Sequence, residues 1–511
     1  MNEGSRTKNS IKNIAMSVAV QIVTLAVSML SRRIFGMVLG AEYLGLSGLI
    51  TNVLSVLSIT ELGISSAITY NLYKPIAEND KDRVARIINF YKQLYIIIGC
   101  VVFVLGMVLM PFLKYILKLE NPIDNVEFYY FLFLINSVLS YFFVYKTAVM
   151  NADQKGYKLQ AVNIGLNVAK AFSQMAVLWF YKSYTFYLLV QILFCVAGNI
   201  ISSTYAQKKY PFISKKVYLE KSEKKNILSH VKDIFSYQIG SVALNNTDNI
   251  LISVIDNTKT VGLYSNYCVI TQAISTFTSM VFTATQSSVG NFAVKSDEDG
   301  KYKMFKMLTF LSFWIYGFVS VGIYECMQPV IGLWMGSDYV MSGSLLAVVV
   351  INFYIAGILY PIWSYRNTIG LFRQTKNVMF FTAGLNIGLS ILLGKFWGII
   401  GILLATGISR ILTTVWFEPF ILFRDYFLKG KKELFAYYLK QIVYAAETTA
   451  IILVVHFANS FIAINNAFAE FLLKFFICCV LSNGLIALFH FKSNEFKNLM
   501  SVAMRTVKRK V

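Results

Sequence analysis

Asn245-Asn246-Thr247-Asp248-Asn249-Ile250-Leu251-Ile252-Ser253 is the stretch whose reading decides the fold. It lies inside an apolar run from about Val231 to Ile255. As one helix, that run stacks Tyr237, Ser241, Asn245 and Asp248 on a single face, at i, i+4, i+8 and i+11. Asp248 then stands about 12 Å inside the end of the run, at 1.5 Å per residue. In a bilayer a carboxylate at that depth is costly, faces a water-filled cavity or a partner, and marks a functional site. The alternative is an Asp paired inside the helix bundle for packing alone.

The rest of the chain decides for the bilayer. Of 511 residues, 56% are hydrophobic and only 14% charged, where a soluble domain carries about 25% charged residues. No soluble core hides that much apolar surface, so the fold class is an all-α polytopic membrane protein. Apolar runs long enough to span recur near 14–34, 44–72, 93–117, 128–150, 158–180, 184–205, 231–255, 261–288, 304–326, 340–362, 376–394, 396–420, 438–458 and 467–490. They predict 14 transmembrane helices. The first reads as a spanning helix rather than a removed signal peptide, because no small-residue cleavage pattern follows it.

The net charge of +21 invites a nucleic-acid reading, but the positions exclude it. With 14 spans, about 37 of the 47 Lys and Arg fall on the side shared by both termini, about 7 on the other, and three (Lys170, Arg410, Lys474) within spans. That asymmetry places both termini in the cytoplasm of a multi-pass protein of the cell membrane. The largest cytoplasmic loop, from Gln207 to Asn226, carries seven lysines. It orients the chain, or touches anionic membrane lipid or a partner protein.

Enzymatic readings find no support. The outer loops are short, and the chain has no HExxH, GxSxG, Walker A or dinucleotide-binding fingerprint. The six Cys (Cys100, Cys195, Cys268, Cys326, Cys478, Cys479) lie in apolar runs without metal spacing, and the three His are far apart. We expect no cofactor and no metal.

The two halves match at an offset of about 217. Tyr43-Leu44-Gly45-Leu46-Ser47 aligns with Thr260-Val261-Gly262-Leu263-Tyr264, and Glu78-Asn79-Asp80-Lys81-Asp82 with Lys295-Ser296-Asp297-Glu298-Asp299. Ile135-Asn136 falls on Ile351-Asn352, and Gly165-Leu166-Asn167 on Gly384-Leu385-Asn386 after a small insertion. Six spans per half make a parallel repeat. The expected division is a six-helix lobe at 1–206, a basic linker at 207–230, a second six-helix lobe at 231–423, and helices 13 and 14 with a basic tail at 424–511. Transporters built from such repeats bind substrate at the interface of the halves.

A cavity there calls for polar faces and charges. Asn163, Asn167, Lys170 and Gln174 share one face of the fifth span; Thr271, Ser275, Thr278 and Gln286 run along the eighth, with Tyr267 above them. Gln21, Ser28 and Arg32 share a face of the first, while Lys146 and Arg366 lie near inner ends and Glu61 in the inner third of the second. The candidate substrate-binding residues are Arg32, Lys146, Asn163, Asn167, Lys170, Asn245, Tyr267 and Arg366. Basic groups suit an anionic substrate, since guanidinium grips phosphate bidentately. Asp248 and Glu61 are the ion-coupling or counter-charge candidates. Lys146 and Arg366 have a second reading as snorkelling side chains, and the hydroxyls as helix–helix contacts. Glu325, Glu418 and Glu447 are expected at membrane interfaces, and Glu470 and Lys474 as an i,i+4 pair.

Gly40-Ala41-Glu42-Tyr43-Leu44-Gly45-Leu46-Ser47-Gly48-Leu49, continuing through Glu61-Leu62-Gly63-Ile64 to Leu72-Tyr73-Lys74-Pro75, resembles the polysaccharide transporter family of the multidrug/oligosaccharidyl-lipid/polysaccharide exporter superfamily. Thr247-Asp248-Asn249-Ile250-Leu251-Ile252-Ser253, Val261-Gly262-Leu263-Tyr264-Ser265-Asn266-Tyr267 and Tyr365-Arg366-Asn367 carry the same resemblance in the second half. It covers roughly 10–430. It implies two six-helix lobes around a central cavity, and flipping of an undecaprenyl-diphosphate-linked oligosaccharide for capsule or exopolysaccharide synthesis. A polysaccharide polymerase and glycosyltransferases are the implied partners beside the lipid-linked oligosaccharide itself. The rivals are a lipid II flippase or a cation-coupled drug exporter of the same superfamily, and, from another class, a membrane-embedded glycosyltransferase or polymerase.

Overall fold

The structure, a computed structural model, describes the backbone of residues 3–58, 71–76, 78–120, 122–153, 155–215, 217–295 and 298–508. Side chains are described there except at 3–18, 226, 229–234, 236–237, 245, 284–295, 372–373 and 502–508. Every regular element among the described residues is helical. The helices are α1 (Glu3–Leu57), α2 (Lys81–Leu109), α3 (Val126–Ala152), α4 (Gly156–Tyr181), α5 (Tyr184–Lys209), α6 (Lys221–Ile255), α7 (Thr258–Lys295), α8 (Glu298–Met335), α9 (Gly343–Ile358), α10 (Tyr360–Ile369), α11 (Phe372–Leu412), α12 (Thr414–Leu422), α13 (Lys431–Ser460), α14 (Ala467–His490) and α15 (Asn494–Lys508). Nine segments among the described residues are long and apolar enough to cross a membrane. The chain forms two compact units, Met1–Ser265 and Asn266–Val511.

α1 joins two helices, one in each of the first two expected spans; residues 59–70 of the second span lie outside the described residues. The two helices meet across a kink at Gly40 (φ 85°, ψ 178°). That backbone region is open essentially to glycine alone, because a Cβ collides with the neighbouring peptide. α11 is broken in the same way at Gly398 (φ 56°, ψ −138°). In the first unit the corresponding break, 216 residues earlier, is made by the left-handed Lys182 and by Ser183, whose hydroxyl caps α5 by accepting from the Phe186 amide. Exposed aromatic residues precede both breaks: Trp179 and Phe180 in one, Phe396 and Trp397 in the other. Such rings collect at membrane–water interfaces.

The tightest helix crossing of the first unit is backbone on backbone. A Cβ at Gly45 on α1 would lie 1.9 Å from the Thr258 carbonyl oxygen, and one at Gly262 on α7 would lie 2.0 Å from that of Ala41. The contact is reciprocal: 258 is 41 + 217, and 262 is 45 + 217. Small residues four apart let membrane helices approach this closely, and reciprocity is what two-fold-related elements produce. The same offset of 217 separates two carboxylates in first helical turns. Asp82 pairs with Lys215 (2.9 Å), and Asp299 with Lys429 (2.7 Å).

In the second unit α13, α14 and α15 dock on α8. Phe313 stacks on Tyr444 with centroids 4.1 Å apart, in a core with Phe310, Ile451, Val455 and Ile486. Polar contacts fix the register. Glu325 accepts from Asn459 and contacts His456 Nδ1 (2.8 Å each), Trp314 donates to Asn483 (2.8 Å), and His490 Nε2 meets Glu447 (2.8 Å). Glu470 and Lys474 form the expected i,i+4 pair.

Alanine at Gly45 or Gly262 must push α1 and α7 apart, because the obstructing atoms are main chain; we expect a loss of about 1–3 kcal/mol for each. Gly48→Ala, on the same helix with open space at its Cβ, is the control and should melt like the parent. Thermal midpoints of the purified chain in one detergent check both statements.

Candidate functional site

Helix spacing brings a polar lining together inside the first unit. Thr51, Ser55 and Ser58 lie at i, i+4 and i+7 on α1, so they share a face. They line a cavity of about 400 Å³ with Asn136 and Ser137 of α3, Gln191 of α5 and Asn246 of α6; the apolar part comes from Leu54, Phe133 and Val242. No titratable side chain is in this lining among the described residues, which do not include Glu61. The α1 hydroxyls give their protons to their own helix. Thr51 donates to Ser47 O (2.7 Å), Ser55 to Thr51 O (2.8 Å) and Ser58 to Leu54 O (2.8 Å). Their oxygens keep lone pairs for other donors, and Tyr141 uses one, donating to Ser58 Oγ at 2.8 Å. Asn136 Oδ1 is buried with no hydrogen-bond partner among the described residues.

One turn earlier on α1, Ser47 shares a hydrogen bond of 2.7 Å with the buried Tyr184 hydroxyl. Tyr184 is the hub of an aromatic cluster. The rings of Phe35, Tyr43 and Tyr129 pack edge-on against it at 5.8, 5.1 and 4.8 Å, and that of Tyr187 stacks at 6.1 Å. Arg32 reaches the same region. Its Nη2 donates to Ser265 Oγ, and its charge acts on Tyr187. Edge-to-face rings hold each other beyond their burial, so the wall beside Arg32 is rigid.

The second unit holds a different feature, a buried ion pair. Arg366 on α10 donates through Nη1 to both Glu418 carboxylate oxygens on α12, at 2.9 and 3.2 Å. The two side chains are 7% and 1% exposed. The Trp363 ring lies 5.9 Å from the guanidinium carbon, and the aromatic core of Phe305, Tyr365, Phe423 and Phe427 packs alongside. Glu418, expected from its place near a run end to be interfacial, is buried inside the protein against Arg366. Its partner lies 52 residues earlier and offsets the cost of burying it.

The other predicted residues are placed as follows. Asn163 accepts from Ser202 of α5 (3.3 Å), Gln174 donates to the Tyr187 carbonyl (3.3 Å), and Lys170 is half-buried beside Cys195. These three stripe residues of α4 therefore meet α5, while Asn167 is exposed. Lys146 donates to Gln207 (2.8 Å) near the C-terminal end of α3. Tyr267 is fully buried, and its oxygen accepts from the Met341 amide (2.8 Å), which holds the loop before α9. Asp248 is half-buried on α6. Glu61 lies outside the described residues, as does the side chain of Asn245. None of the eight whose side chains are described lines the cavity. Its lining was not singled out beforehand, although Asn246 adjoins Asn245 and the 51/55/58 spacing is visible in the sequence.

Removing Glu418 alone leaves the Arg366 charge buried without its carboxylate, which costs about 3–5 kcal/mol. Glu418→Ala should lower both membrane yield and thermal midpoint, and Arg366→Met with Glu418→Leu should recover most of the loss. A single variant as stable as its parent would show that the pair holds nothing in place.

A family described as polysaccharide biosynthesis protein matches residues 10–286, over half of the chain. Among solved structures, the chain is similar to a lipid II flippase, MurJ, in an inward closed conformation. The TM-score is 0.66 at 15% identity, over 93% of this chain and 99% of that one. It is also similar to an inward-facing multidrug resistance transporter of the MATE family within the MOP superfamily (TM-score 0.59, 14% identity, 79% and 97% covered). A MATE transporter from Vibrio cholerae gives 0.56 at 12% identity, with 84% and 100% covered. No curated protein sequence matches. At these identities the likeness is one of fold.

Proposed function

The chain belongs to the polysaccharide biosynthesis protein family, and on that premise we propose that it flips an undecaprenyl-diphosphate-linked oligosaccharide across the cell membrane by alternating access. It is a multi-pass membrane protein with a MurJ- and MATE-like fold. We read its apolar segments as 14 spans, in two six-helix lobes around a central cavity, followed by α13 and α14. Length supports this count. The segments Ala19–Leu57 and Gln374–Phe427 have 39 and 54 residues, where one crossing takes about 20, and each contains a glycine break. The more polar α4, α6 and α7 supply the remaining spans. The basic loops keep both termini in the cytoplasm.

The observation that carries the substrate class is the uncharged cavity of Thr51, Ser55, Ser58, Asn136, Ser137, Gln191 and Asn246. Hydroxyl and carboxamide groups without an ionised partner suit a neutral polyhydroxylated ligand. An exporter of organic cations needs a carboxylate there. For the diphosphate, Arg32 is the stronger of the two arginine candidates, since Arg366 is committed to Glu418. Asp248 is kept as the counter-charge or coupling-ion residue. The polymerase and glycosyltransferases of the same pathway are the proposed partners.

A lipid II cargo is the second reading. It is favoured by the extent of the MurJ likeness, which covers nearly all of both chains. Complementation separates the two, in strains lacking either a lipid-linked oligosaccharide flippase or the lipid II flippase. We expect growth or polymer export to return only in the first.

In that strain Arg32→Ala and Asn246→Ala should each reduce export while surface-labelled protein stays at parental levels. Normal export by both variants would remove the assignment of this cavity and its arginine. Gradient-driven ethidium efflux by the parent would replace the flippase reading altogether.

A further inference from the structure

A second, larger cavity lies elsewhere in the first unit and plays no part in the reading above. It measures about 920 Å³. Three stretches close on it: residues 73–76 and 79–81 ahead of and opening α2, Asp153 and Lys155 between α3 and α4, and residues 209–212 at the end of α5. All three belong to the lysine-rich side of the chain.

Its charges are unbalanced. Lys74, Lys81, Lys155 and Lys209 line it, against the carboxylates of Asp80 and Asp153. Both carboxylates are already engaged. Asp80 Oδ1 caps α2 by accepting from the Arg83 amide at 2.9 Å. Asp153, itself buried, accepts from Lys155 Nζ and from the Tyr210 hydroxyl on one oxygen. Burial and this hydrogen bond to Asp153 raise the Tyr210 hydroxyl above its ordinary range, so it stays a neutral donor.

The inner lysines are not spread over solvent as orienting lysines are. Lys209 is half-buried and faces both Lys158 and Lys155 as like-charged neighbours. Asp153 offsets part of the charge of these three ammonium groups, and the remaining excess of positive charge favours a bound anion. The Asp153–Lys155 contact and the Lys155 ammonium over the Tyr210 ring (5.9 Å) keep one of them aimed in place. Tyr73, half-exposed at the rim, adds an open aromatic face.

We propose that this pocket binds a multiply charged phosphate ester, with Lys81, Lys155 and Lys209, which line it, holding the phosphate and Tyr73 flanking the organic part. Ammonium groups around a cavity recognise phosphate as a point charge. The ligand is either a soluble diphosphate or the phosphate of an anionic lipid headgroup, both of which reach a basic pocket at an inner membrane face. The proposal stands apart from the identity of the transported cargo.

The test uses the full-length chain in nanodiscs and two probes. In phosphatidylcholine nanodiscs, inorganic pyrophosphate is titrated by calorimetry, with sodium chloride at matched ionic strength as the blank. In a parallel arm, phosphatidylglycerol replaces part of the lipid and the thermal midpoint is followed. Lys209→Gln leaves the Asp153–Lys155 contact intact, so it should fold normally. Losing one charged hydrogen-bond donor should weaken binding by about tenfold. Lys81→Gln with Lys209→Gln should abolish it, while Lys492→Gln, on an exposed turn before the last helix, should change nothing. Pyrophosphate binding assigns a soluble source. A phosphatidylglycerol-dependent rise in midpoint that the double variant lacks assigns a lipid source. The proposal is overturned if the parent responds in neither arm, or if the double variant responds as the parent does.

Discussion

The contact that the first unit depends on is the crossing of α1 and α7 at Gly45 and Gly262. Here main chain meets main chain, with no side chain to adjust. Rotamers can absorb a misfit elsewhere, but a carbonyl oxygen about 2 Å from where a Cβ would stand cannot yield without moving a helix. The turn leading into α7 is tied down as well. Thr258 N donates to the Lys118 carbonyl (2.9 Å), and Ser253 donates to that of Ile116 (2.9 Å). α6 is therefore fixed at its end, and Asn246 is carried to a defined place beside Thr51 and Ser55. The polar cavity is a consequence of that close approach.

The units treat charge and polarity differently. In the second, charge is buried as a pair, Arg366 with Glu418. Each member is needed because its partner is there, and the aromatic core beside Arg366 keeps water from replacing either one. In the first, the cavity is lined by neutral groups. Hydroxyls and carboxamides cost far less to bury than ions, so the lining can open to a polar ligand without a permanent counter-charge.

How much of this was legible in the sequence follows from the range of each interaction. Helices and the 217-residue repeat were readable, because composition and periodicity are local or self-similar. The Glu418 pairing was not, since a carboxylate near a run end looks interfacial until a partner 52 residues away is known. Neither was the conformation at Gly40, whose positive φ makes the kink that joins the two helices of α1. The polar stripe on α4 was correctly periodic, but a stripe tells which residues share a face and not what that face meets. Asn163 and Gln174 meet α5. Near Asp248 the ambiguity is smaller still, as Asn245 and Asn246 are one residue and about 100° of helix rotation apart.

A carrier must also let its cargo go, and the cavity hydroxyls suit that requirement. A lining that bonds only to cargo would leave buried donors unsatisfied at each release, at about 1–3 kcal/mol apiece. Thr51, Ser55 and Ser58 avoid this by keeping their protons on carbonyls of α1, whether or not a ligand is present. What they offer is spare acceptor capacity, which a hydroxylated ligand can use and then vacate with little penalty. An ion pair such as Arg366–Glu418 cannot work in this way, because breaking it exposes two charges to a medium that does not solvate them. The same physical rule thus separates the groups that handle a passing polar ligand from those that hold the helices together.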